Sequence, residues 1–123
     1  MHVTGVIGKH VPVWDIEKNF GGTSLLVTNM DQGRDLAETM ADCRVILMRG
    51  HGCAIAAENI KSAVLTAIYT QVNAKLQLEA MPLGNVKYLS AAEIDLTPET
   101  LIGPLAMARA WEYFSRRAKK NSL

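Results

Sequence analysis

The sequence predicts an α/β fold, and three observations carry the prediction. Val45–Met48 and Cys53–Ala56 are apolar, β-favouring runs on either side of Arg49-Gly50-His51-Gly52, the pattern of a hairpin. Downstream, Ile60, Val64, Ala67, Ile68, Val72 and Leu76 recur at three-to-four spacing, as on a helix with one apolar face. The chain has 123 residues, 49% of them hydrophobic, which suits one packed domain at most. Strands and helices mixed in a chain of this size make the class α/β.

His2–Gly8 is rich in β-branched residues but too short to assign. Val11–Ile16 alternates apolar and other residues and reads as a strand with an early proline. Phe20-Gly21-Gly22 breaks it, and Ser24–Val27 is a short apolar segment. A helix follows from about Asp31 to Asp42, with Leu36, Ala37 and Met40 on one buried face. After the hairpin, Asn59 can cap the long helix, and Pro82 with Gly84 ends it. Ser90 and Glu93 have the spacing of a capping box for a short helix. Thr97-Pro98 reads as the start of the last helix, because proline suits the first helical position. That helix carries Leu101, Leu105, Ala108 and Trp111 on one face as core.

Composition excludes several function classes. A formal net charge of +1 leaves no electrostatic footprint for nucleic acid or an anionic membrane. Arg116, Arg117, Lys119 and Lys120 cluster at a helix C-terminus, where they complement the helix dipole. No apolar run approaches the ~18 residues of a membrane span, and no signal-peptide layout opens the chain. Cys43 and Cys53 read as reduced, buried thiols of a cytoplasmic protein.

His51 is the one residue singled out by local pattern. Glycine on both sides lets the backbone turn without a Cβ penalty and bares the imidazole edge. Such a histidine can bind a metal or act as a general base. A plain polar turn residue fits the same spacing, and spacing alone leaves both readings open.

The ordered set of features resembles the class II aldolase/adducin family, specifically its C-terminal half. The resemblance covers His2 to about Phe114. It rests on His2 and Gly8, Val11-Pro-Val-Trp-Asp15, Gly33 with Leu36-Ala37, Leu47-Met-Arg-Gly-His51-Gly52, Ala63-Val64, Asn73-Ala74, and Leu89-Ser90 with Glu93. It implies a three-layer αβα domain of which residues 1–123 are the C-terminal portion, the N-terminal half being absent. It further implies a homotetramer, a small-molecule substrate and a divalent metal, zinc or manganese, near a subunit interface. His51 matches the third metal-binding histidine of the family. The other two family histidines form a His-x-His pair, a spacing that puts both imidazoles on one face of a strand. By the resemblance that pair and the acid/base glutamate belong before Met1, and His2 matches a later position than the pair.

Replacements within the chain are few. Cys53 lies two residues beyond His51, but a free cysteine after such a turn suits a small buried hydrophobe better. His10 reads as a surface loop residue, His2 is next to the terminus, and Asp15 and Glu17 read as a solvated strand edge. One histidine is about one third of a catalytic metal set.

Within the family, Val3 stands where the sugar-phosphate aldolases carry a substrate-protonating tyrosine. The stretches Arg109–Phe114 and Leu47-Met-Arg49 are more similar to the hydroxy-aromatic carboxylate decarboxylases. There a metal acts as a Lewis acid on a hydroxyl and its neighbouring carboxylate or carbonyl. Arg49 is the candidate to hold a substrate carboxylate in a two-pronged hydrogen bond, a solvent-facing turn residue being its plain alternative. The expected function is a metal-dependent lyase, by decarboxylation or by retro-aldol cleavage of a hydroxy-carboxylate or sugar phosphate, inactive in these 123 residues alone. They would arise as a fragment or by translation from an internal methionine. The alternative is an adducin-like, non-catalytic oligomerisation module.

Overall fold

The computed structural model describes residues 2–101 and 103–121, the side chains of 2–4, 98–101 and 121 lying outside that description. The chain forms two compact units, one of residues 10–56 and one of residues 1–9 with 57–123.

The first unit is built on a three-stranded sheet in the order β1 (Val13–Trp14), β2 (Val45–Met48), β3 (Gly52–Ile55). β1 runs parallel to β2, and β2 pairs antiparallel with β3. The predicted hairpin is present. The strand predicted over Val11–Ile16 is shorter than expected. Asp15 leaves the sheet and caps a short helix, α1 (Ile16–Phe20), by accepting from the Glu17 amide at 3.1 Å. A capped turn satisfies the free amide there, which a two-residue strand with no further partner cannot.

Ser24–Val27 forms no strand, and Leu25 adopts a left-handed backbone, φ 64°. Helix α2 (Met30–Met40) begins one residue earlier than predicted because Asn29 caps it, accepting from the Gln32 amide at 3.0 Å. Gln32 in turn accepts from the Thr28 amide at 2.8 Å, tying the entering chain to the first turn. Leu36 and Met40 pack inward as predicted, whereas Ala37 is exposed.

One core cluster of this unit is Trp14, Ile16 and Ile46, with Phe20, Leu25, Leu36, Met40, Met48 and Ala54 against it, and Val45 is buried on the other sheet face. The pleat explains the membership: Ile46↔Ala54 and Trp14↔Met48 are register pairs on one sheet face. The row Val13–Leu47–Cys53 lies on the opposite face and is exposed, Val13 by 59%. Trp14 is 3% exposed, yet its indole N–H is satisfied by Asp35 Oδ2 at 2.7 Å. Asn19 donates to the other oxygen of Asp35 at 2.7 Å, so this polar contact at the core edge is complete.

In the second unit, a 3₁₀ segment over His2–Ile7 packs against α3 (Ile60–Ala80) and α4 (Ala91–Leu101). Gly5 is required by that packing, since a Cβ there would lie 2.6 Å from the Cβ of Thr97. Asn59 caps α3 as predicted, accepting from the Ser62 amide at 3.0 Å. The helix gives way to a 3₁₀ turn, Met81–Leu83, that ends at Gly84.

The face that α3 buries differs from the predicted stripe. Leu65 and Thr66 are buried, while Ile60 is 76% exposed and Val64, Ala67 and Leu76 are exposed too. The helix is apolar on more than one side, so period alone could not choose the face.

The Ser90/Glu93 capping box forms, with the Ser90 amide donating to Glu93 Oε2 at 2.7 Å and the Glu93 amide to Ser90 Oγ at 3.3 Å. From that start α4 runs through Thr97-Pro98, which therefore does not open the last helix. The last helix, α5 (Pro104–Asn121), starts at Gly103-Pro104, with the Met107 amide bonded to the Gly103 carbonyl at 2.9 Å. Its half-buried face is Ala106, Met107, Ala110, Trp111 and Phe114, whereas Leu105 and Ala108 are exposed. Leu101 lies outside the described side chains. Among the described residues, no helix is long and apolar enough to cross a membrane.

Candidate functional site

The turn between β2 and β3 is set by its glycines. Gly50 has φ 69° and Gly52 φ 153°, conformations that L side chains rarely adopt. Between them, the His51 amide donates to the Met48 carbonyl at 3.0 Å and closes the turn, and the side chain is exposed. The imidazole therefore stands off the sheet end, not in the core. Leu25 abuts the turn from below: a Cβ on Gly50 would lie 3.0 Å from Leu25 Cδ1.

Arg49 enters this turn with its side chain committed to two carboxylates of the same unit. Its Nε lies 2.7 Å from Asp15 Oδ1, and Nη2 lies 2.8 Å from Glu17 Oε2. The backbone pairing continues to the same residue, since the Arg49 amide donates to the Trp14 carbonyl at 3.0 Å. The Arg49 guanidinium bonded to Asp15 holds that carboxyl below the usual carboxylate range; desolvation opposes this, and the Glu17 amide assists. The same bond raises Arg49 above its ordinary value. Asp15 and Glu17, read from the sequence as a solvated edge, are thus partners of the arginine on the histidine turn. Their one sequence signal was two carboxylates at alternate positions beside an apolar run. That signal could not name Arg49, because the parallel β1–β2 register joins residues more than thirty positions apart.

The other candidates are dispersed. Cys53 is exposed, not buried, and its register partner Leu47 is exposed on the same sheet face, opposite Ile46. Cys43 is half-buried, and both thiols are free. His10 is exposed before β1, and the side chain of His2 lies outside the described residues. Among the described residues, no three His, Cys, Asp or Glu side chains converge on a point that could hold a metal ion. His51 suits one metal bond; a complete ligand set is not built from these residues.

Residues 1–78 match the family described as the Class II Aldolase and Adducin N-terminal domain. The chain is similar to Decarboxylase tropJ of Talaromyces stipitatus, at 30% identity over 145 residues, covering 100% of this chain and 54% of that protein. It is also similar to the 3,4-dihydroxyphthalate decarboxylase of Arthrobacter keyseri, at 32% identity over 90 residues, covering 72% of this chain and 36% of that protein. The chain thus spans about half or less of the length of these curated relatives.

Proposed function

The chain belongs to the class II aldolase and adducin family, and on that premise we propose that it is part of a cytoplasmic, metal-dependent lyase that releases carbon dioxide from a hydroxy-aromatic carboxylate. The observation that carries the reading is His51, exposed on a turn that two glycines hold open. An imidazole presented this way can give one lone pair to zinc or manganese, and a catalytic site of that kind uses about three protein ligands. The remaining ligands are proposed to be the His-x-His pair that the resemblance places upstream of Met1. A divalent ion held there supplies Lewis acidity for the charge that develops as carbon dioxide leaves. The three-layer αβα arrangement is likewise proposed for the longer protein. Two decarboxylases among the relatives support decarboxylation over retro-aldol cleavage.

The exposed apolar residues of α3 favour a second property, self-association. Ile60, Val64 and Leu76 are exposed, and Val64 and Ile68 line a groove of about 340 Å³ with Trp111 and Phe114 of α5. A non-catalytic, adducin-like oligomerisation module would use the same surface without a metal.

Two measurements separate these readings. The full-length gene product loaded with zinc or manganese is assayed for carbon dioxide release from ortho-hydroxylated aromatic acids, and its metal content is titrated. About one metal per subunit and measurable turnover are expected, with His51→Ala abolishing both. The 123-residue chain alone should bind zinc only weakly, because a single exposed imidazole lacks chelate geometry. Tight zinc binding that survives His51→Ala would overturn the metal assignment. A metal-free, inactive oligomer would favour the module.

A further inference from the structure

We infer that Arg49 is a positioning residue: its paired bonds to Asp15 and Glu17 anchor the Gly50-His51-Gly52 turn to the start of α1 and so fix where His51 is presented. The inference concerns what holds the turn, and its catalytic meaning rests on His51 being a metal ligand.

A turn of this kind needs external anchoring. Both glycines give the backbone conformational freedom that other residues would remove, so the same feature that permits the turn also loosens it. Within the turn itself the His51 amide donates to the Met48 carbonyl, beside the Met48↔Gly52 pairing that closes the hairpin. The sheet beneath ends early, because β1 stops at Trp14. Arg49 compensates from both directions. Its amide extends the β1–β2 pairing by one bond to Trp14, and its guanidinium spans the two carboxylates that follow Trp14.

The geometry of the grip matters. Asp15 is the less exposed carboxylate of the two, with 21% of its side chain accessible, and its Oδ1 accepts from both Arg49 Nε and the Glu17 amide. One oxygen thereby ties the cap of α1 to the arginine of the turn. Glu17, one step into α1, takes the second prong. A planar guanidinium holding two points resists rotation in a way that one contact cannot. Leu25 adds an apolar stop under Gly50. With Nε and Nη2 engaged in this way, the two-pronged grip predicted for a substrate carboxylate is exercised on the chain's own carboxylates.

The first test uses the 123-residue chain and amide hydrogen exchange read by NMR. Arg49→Gln, and separately the double variant Asp15→Asn with Glu17→Gln, are compared with the parent. Asparagine retains an oxygen able to cap α1, so the double variant removes the ion pairs while keeping the helix start. Exchange at His51 should rise about tenfold or more in both variants, with Leu36 in α2 unchanged as the reference for an intact fold. Arg49→Lys, which reaches one carboxylate, should fall between. Unchanged exchange at His51 in the two ion-pair variants overturns the inference.

The second test uses the full-length gene product with zinc as the probe. Arg49→Gln should weaken zinc binding about tenfold, the scale seen when a ligand's supporting contacts are removed. Turnover should fall with it, while KM for the hydroxy-aromatic acid stays at the parent value. A raised KM with unchanged zinc affinity would overturn the positioning role in favour of direct substrate binding. Failure of the parent protein to bind zinc through His51 would refute the proposed function, whereas the exchange measurement would still decide how the turn is held.

Discussion

Replacing Gly50 with alanine probes the turn where backbone and packing both resist a side chain. The backbone sits at φ 69°, where an L residue costs about 1–2 kcal/mol relative to its preferred regions. The added Cβ would also lie 3.0 Å from Leu25 Cδ1, tighter than ordinary contact. That atom is the end of a side chain, so a rotation of Leu25 can relieve the contact, at about 0.5–1.5 kcal/mol for an off-rotamer angle. Leu25 has limited room to shift its backbone, since it already occupies φ 64° and its amide donates to Thr23 Oγ1 at 3.1 Å. The two terms together give about 1.5–3.5 kcal/mol of destabilisation. In a chain of this size that lowers Tm by roughly 5–20 °C, measured by circular dichroism at 222 nm. Gly22→Ala is the control: no atom lies within 4 Å of its Cβ position and its φ is outside the left-handed range, so a change within about 0.5 kcal/mol is expected. In a Leu25→Ala background the contact term should vanish, leaving the backbone term. A Gly50→Ala protein as stable as the parent would refute both the left-handed turn and its contact with Leu25.

Three further outcomes are expected. Ile46→Ala, at a side chain with 0% exposure clustered with Trp14 and Ile16, should cost about 2–5 kcal/mol in urea unfolding, whereas Val13→Ala, at a side chain 59% exposed on the opposite face, should cost little; equal effects would contradict the sheet's facing. The capping box predicts a pH dependence. Ser90 holds the Glu93 carboxyl below its ordinary value through backbone and side-chain hydrogen bonds, so the box's contribution is complete above pH 4.5 and is lost as pH falls through the lower folded-state value. Glu93→Gln should therefore flatten part of the acid limb of Tm against pH, and an unchanged limb would count against the box. The exposed apolar face of α3 predicts a dimer or larger species at micromolar concentration, burying well over ~1,000 Å². Val64→Glu should shift sedimentation toward monomer, and a parent that is already monomeric would exclude this surface.

The sequence by itself determined the features that rest on neighbouring residues. The hairpin, the Asn59 cap, the Ser90/Glu93 box and the glycine-flanked exposure of His51 each depend on backbone chemistry within a few positions. The family was legible for a similar reason, since its motifs are short runs in a fixed order. Short-range signals failed where two of them competed. Thr97-Pro98 has the form of a helix start, but it lies inside α4, which opens at the box seven residues earlier, and the last helix starts at Gly103-Pro104.

Only the tertiary structure decided which faces are covered and which distant residues meet. On α3, apolar residues on several sides left the buried face to be chosen by its neighbours, and Leu65 went inward while Ile60 stayed out. Cys53 is exposed because it pairs with Leu47 on the sheet face opposite Ile46; the turn sets that pairing, but the packing of the unit decides which face takes Trp14 and Ile16. The union of Asp15, Glu17 and Arg49 depends on a parallel pairing between strands separated by two helices. Such a contact is settled by the packing of α1 and α2 on the sheet, which sums many small terms over the whole unit. The sequence thus singled out His51 and Arg49, and the fold supplied the two carboxylates, Asp15 and Glu17, that Arg49 binds.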